Sequence, residues 1–204
     1  MRTRWRCVAL VLCLVIELDC MCTFVGASNW AGSGMTLRRC GASKHVLSTL
    51  QWLDDMVIGL QLCPWARASM EGNGFKAVHI DKSQAHHADL VLAEAAKLEM
   101  STCNSPTTLL IFSDPAYKSV AGVKLMMDLR RQVLPRLNAM GIDSLVFHPH
   151  REDRGPGCKG SPADAGHFAA RSPFPTLQLL PQQALLEARQ SWEARHGGHG
   201  ALSL

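Results

Sequence analysis

Thr107–Phe112 reads TTLLIF, a run with no polar alternation. A strand with one wet face alternates apolar and polar residues, so a continuous apolar run marks a strand covered on both faces. Such a strand needs helices or another sheet on either side, and the flanking sequence supplies helices. From Val46 the apolar positions Val46, Leu50, Leu53, Val57 and Leu60 recur in steps of four and three, which is one face of a helix. Ser43 or Ser48 is placed to cap it, and Pro64 stops it, because the residue before a proline is pushed out of helical angles. That residue is Cys63, which is therefore expected at a helix C-terminus, where the dipole disfavours a thiolate. Phe75–Ile80 alternates as a strand, and His86–Met100 follows as a second helix. Val120–Met140 is expected as a third helix, bent or shortened at Pro135 and closed by Gly141. Ser144–His148 and Thr176–Leu180 are expected as strands, and Pro181–Glu193 as a last helix opening on proline. Strands alternating with helices of this length specify an α/β fold: helices packed on a sheet of about four strands, in a single domain after an N-terminal leader.

The leader reading rests on the first 27 residues. Arg2, Arg4 and Arg6 precede the apolar run Cys7–Ile16, and Val25-Gly26-Ala27 offers small residues for cleavage, the layout of a signal or targeting peptide. The run is shorter than the roughly 20 apolar residues a bilayer crossing needs, so no stable membrane span is expected once the leader is removed. The expected destination is the secretory route or an organelle. Residues 28–45 read as a flexible leader segment, 46–193 as the domain and 194–204 as a disordered tail. Removing 1–27 leaves Cys40, Cys63, Cys103 and Cys158, too widely and irregularly spaced for a disulfide scaffold. Aromatic residues make up 6% of the chain, with Tyr117 the one tyrosine, and the net charge of +4 is scattered, so a nucleic-acid partner is not expected.

Three ordered motifs carry a family resemblance. Gln51-Trp52-Leu53 through Val57-Ile58-Gly59-Leu60-Gln61-Leu62-Cys63-Pro64-Trp65-Ala66 resembles the opening signature of the DUF1415 family, a helix ending in a GLxLCPFA-like turn. Phe147-His148-Pro149 is similar to its FHP element, and Arg171-Ser172-Pro173-Phe174-Pro175-Thr176-Leu177 to its NRSPYPTLHLLRE signature. The resemblance spans about residues 47–190 and supplies a motif map without a mechanism, since no activity is established for the family. The chain departs from the pattern in places. Ala170 stands where Asn is usual, Gln178 where His is usual, Pro181-Gln182 where Arg-Glu is usual, and His150-Arg151-Glu152 follows Pro149 where an aromatic residue is expected.

The reactive side chains that match the motifs are Cys63, His148, Arg171 and Ser172. A thiol becomes a nucleophile when a base or cation favours the thiolate, so Cys63 and His148 form a candidate catalytic pair, His148 giving or taking a proton. The prolines around Arg171 stiffen the backbone, and a fixed guanidinium binds carboxylate or phosphate through paired hydrogen bonds. Arg171 and Ser172 are thus candidate substrate-binding residues for a small anionic ligand, with Arg151 or Arg154 assisting. The competing reading is a non-catalytic structural or interaction module, in which the motifs are folding devices and Cys63 is a small buried residue. A minor third reading is metal binding through His148, His150, Cys158 and His167, whose spacing matches no standard zinc site. No cofactor is expected: Gly72-x-Gly74 lacks the rest of a dinucleotide fingerprint, and neither a Walker A loop nor a G-x-S-x-G elbow is present. The loop 151–170 is longer than compact domains usually carry without a functional reason.

Overall fold

The computed structural model describes residues 43–152 and 170–196, apart from 61–62, 64–65, 72–73, 82–85, 102 and 104–105. The expected leader 1–27, most of the segment 28–45, the bulk of the 151–170 loop and the end of the tail lie outside these residues.

The chain is α/β. In order it forms α1 (Lys44–Trp52), a π-helical segment (Leu53–Ile58), α2 (Ala66–Glu71), β1 (Phe75–Ile80), α3 (His87–Glu99), β2 (Thr107–Phe112), α4 (Pro115–Lys118), α5 (Gly122–Ala139), β3 (Ile142–Phe147), β4 (Thr176–Pro181) and α6 (Gln182–His196). The strands make one mixed sheet of order β1-β2-β4-β3. β1 and β2 run parallel through the crossover helix α3, while β4 lies antiparallel between β2 and β3. All six residues of β2 are buried, as its unbroken apolar run requires.

Alternation along the strands divides the core. Ile80, Leu110, Phe112, Val146, Leu177 and Leu179 face α3 and α5, where Val91, Leu98, Met126, Val133 and Leu137 close over them. Leu109 and Ile111 point the other way and meet Val46, Leu50, Ile58 and Met70 of the α1–α2 side. On that same side Phe147 packs with Val57, Ala170, Trp52, Cys63 and Leu145.

Several boundaries differ from the sequence expectation, each for a local reason. Ser43 rather than Ser48 caps α1, its Oγ accepting from the Val46 N–H at 3.4 Å. The first helix widens to π geometry after Trp52, with the Gly59 N–H reaching back five residues to the Asp54 carbonyl at 2.8 Å. One extra residue in a turn rotates everything beyond it. Val57 is buried as expected, but beyond it the buried face takes in Ile58 and leaves the expected Leu60 56% exposed. α5 runs through Pro135 to Ala139 without being shortened. Gly141 (φ +67°) then turns the chain directly into β3, which starts at Ile142 instead of Ser144. Pro181 belongs to β4, opposite Ile142, and α6 begins at Gln182, whose N–H bonds the Gly141 carbonyl at 2.8 Å. α6 continues to His196, into the expected tail. The short helix α2 has no clear periodic signature in the sequence. Among the described residues no helix is long and apolar enough to cross a membrane.

Candidate functional site

His148 follows β3 directly and is fully buried. Its Nε2–H donates to the Tyr117 carbonyl at 2.6 Å, and its Nδ1 accepts from the His150 N–H at 3.0 Å. A backbone N–H on one nitrogen and a carbonyl on the other fix the neutral Nε2–H tautomer. Burial pushes the imidazole pKa down; the Tyr117 hydrogen bond opposes this and nearby His150 adds to it, with a net lowering.

The other motif residues extend this stitching. The His148 N–H bonds the Ala170 carbonyl at 3.0 Å, closing the base of the long loop. Arg151 is buried and donates to the Val146 carbonyl. Arg171 Nε donates to the Arg151 carbonyl at 3.0 Å, and the buried Ser172 Oγ donates to the Phe174 carbonyl at 2.5 Å. His148, Arg151, Arg171 and Ser172, all near the junction of β3, the loop and β4, thus give hydrogen bonds to main-chain carbonyls, that of His148 going to Tyr117 of α4.

Cys63 stands elsewhere. It is a part-buried thiol ahead of α2, its carbonyl accepting from the Ala66 N–H at 3.2 Å. It packs with Leu145 and Phe147, whereas Val146 lies with the α3–α5 layer, as does Tyr117, whose carbonyl the His148 ring bonds. The hydrogen bonds of the His148 ring go to the Tyr117 carbonyl and the His150 N–H.

What Cys63 does face is a cavity of about 190 Å³ on the α1–α2 side of the sheet. Trp52 and Phe147 form one wall, their rings edge to face at 5.6 Å. Leu109, Gln178 and Leu145, neighbours across β2, β4 and β3, make the floor. Ala184, Leu185 and Glu187 of α6 close another side. Two polar groups mark the floor. Gln178 Nε2 donates to Thr107 Oγ1 at 3.0 Å, and Thr107 Oγ1 donates to the Leu179 carbonyl at 3.0 Å. The Trp52 indole Nε1–H is sealed from solvent and has no partner among the described residues. Sequence reasoning passed over Trp52, Thr107 and Gln178 as functional residues. The available signal was Gln178 itself, a lone amide between two leucines in a central strand.

A second ring cluster sits at the other end of β1. His45 stacks on His79 at 4.9 Å and meets Phe174 edge-on at 4.6 Å, with Lys118 over the Phe174 ring. Burial first, then the charges of His79, Lys44 and Lys118, lower the His45 pKa. Among the described residues no three His, Cys, Asp or Glu side chains are grouped to hold a metal ion. Cys158 and His167, expected as possible ligands, lie outside those residues.

A family model described as a protein of unknown function (DUF1415) matches residues 44–197, from the first residue of α1 to just past the end of α6. No curated protein and no solved structure matches the chain.

Proposed function

The chain belongs to the DUF1415 family, whose description names no activity, and from the geometry we propose that it is a small-molecule-binding domain taking a compact, largely apolar ligand in the cavity beside Cys63. The single observation that carries this reading is the cavity itself, about 190 Å³ and lined mainly by apolar side chains. Pockets for drug-sized ligands run from about 300 Å³, whereas an apolar cavity of about 150 Å³ accepts benzene, so a single-ring ligand is the right scale. In this reading Cys63 is a wall residue within reach of a bound molecule and the one motif nucleophile at the cavity. His148, Arg171 and Ser172 act as positioning residues: they tie down the loop ends that carry Phe147 and Ala170, against which Cys63 packs. A small-anion site at Arg171 and Ser172 has weaker support, because the hydrogen bonds described for them serve main-chain carbonyls.

Toluene tests the reading. A ligand of that size binds with a dissociation constant on the order of 0.1–1 mM. At ten times that constant it raises unfolding free energy by about 1.4 kcal/mol, visible as an upward thermal shift. Ala184→Phe, which fills the cavity from α6, abolishes the shift, and bound toluene slows alkylation of Cys63. A wild-type protein that neither toluene nor phenol shifts ends the proposal.

A further inference from the structure

The cavity floor holds one group that an apolar lining does not explain. Gln178 lies on the central strand β4, with Leu109 of β2 and Leu145 of β3 as its cross-strand partners. A carboxamide there is costly unless its hydrogen-bonding capacity is used. Its Nε2 reaches Thr107 Oγ1 at 3.0 Å. The orientation of the amide follows from valence. The Thr107 hydroxyl has one proton, and that proton goes to the Leu179 carbonyl at 3.0 Å, which can only accept. Toward Gln178 the hydroxyl oxygen can therefore only accept, so the amide nitrogen turns to Thr107 and Oε1 turns away from it. Thr107 is 5% exposed, which shelters this lock from competing water. Among the described residues Oε1 makes no hydrogen bond, and it is not sealed in protein.

We propose that Gln178 determines specificity in this cavity: its Oε1 accepts a hydrogen bond from a neutral, single-ring ligand that carries one O–H or N–H donor. This rests on the reading of the cavity as a ligand site. A pure hydrocarbon would strand the acceptor without water or partner, a loss that binding must absorb. A carboxylate ligand is disfavoured, since it would meet an acceptor on a floor that is otherwise largely apolar. A hydroxyl suits the site best, because it donates to Oε1 and also accepts from the second Nε2 proton.

Phenol and toluene have equal numbers of heavy atoms and differ in the group that matters. Calorimetric titration of the full chain at pH 7 is expected to show phenol bound about five- to tenfold more tightly than toluene. Gln178→Leu removes that preference while toluene still binds. Thr107→Val keeps the amide but deletes the hydroxyl that aims it, and reduces the preference to an intermediate value; with the wild-type comparison it decides the matter if Gln178→Leu does not fold. Equal affinities in the wild type, a preference that survives Gln178→Leu, or benzoate binding above phenol each overturn the assignment of Gln178 and leave the cavity standing as an apolar site. Binding of neither phenol nor toluene overturns the cavity reading together with it.

Discussion

An imidazole enclosed by protein, with a carbonyl on one nitrogen and an N–H on the other, is committed to its neutral form. The pKa of His148 in the fold lies below the ordinary value of about 6.5. As pH falls, the unfolded chain therefore takes up this proton first. The stabilising contribution of His148 is complete above pH of about 6.5 and drains away as pH drops from there toward the folded value. His45 is lowered as well, by burial first, and contributes with the same sign. The urea midpoint of the wild type is expected to fall between pH 7 and pH 5. His148→Gln, whose amide offers both a donor for Tyr117 and an acceptor for His150, gives a flatter profile; an unchanged slope would show that His148 does not titrate on unfolding. The same residue explains why the candidate site was only partly legible. His148, Arg171 and Ser172 stand out in the sequence because the chain needs polar side chains to satisfy main-chain carbonyls where a strand, a long loop and a second strand meet. That demand looks like chemistry in one dimension. Gln178, by contrast, shows in the sequence only as an amide between two leucines, and what it faces is known only with its neighbours on the sheet floor.

At the scale of elements, strands and long helices followed from period and punctuation, and Gly141 ended α5 as a left-handed glycine should. The π-helical segment could not be read this way. Its sequence keeps the apolar spacing of an ordinary helix, and the widened turn packs Val57 against Phe147. It exchanges which residue is inside. Leu60→Gln is therefore expected to change unfolding free energy by less than about 0.5 kcal/mol, as for a surface site. Ile58→Ala is expected to cost about 2–4 kcal/mol, as for a filled core position. Denaturant unfolding of the two variants checks this, and a reversed order would restore the continuous α-helix. Cys63 lies beyond that segment, among Phe147 and Ala170, and lines the cavity instead of ending a helix.

At the scale of the whole molecule the α/β class was legible, because TTLLIF needs cover on both faces and the sequence provides helices before and after it. Strand order was not. Nothing local states that Thr176–Pro181 enters between β2 and β3, where Leu177 and Leu179 join the α3–α5 core. Central position has a measurable signature. Amide hydrogen exchange is expected to be slowest in β2 and β4, which are paired on both sides, and faster in the edge strands β1 and β3. Equal protection across all four strands would contradict the order. The placement of β4 also bears on synthesis. The strand that joins the two halves of the sheet is the last of the four to leave the ribosome, so a nascent chain holds β2 and β3 apart, each with an open edge, until nearly all of it has been translated.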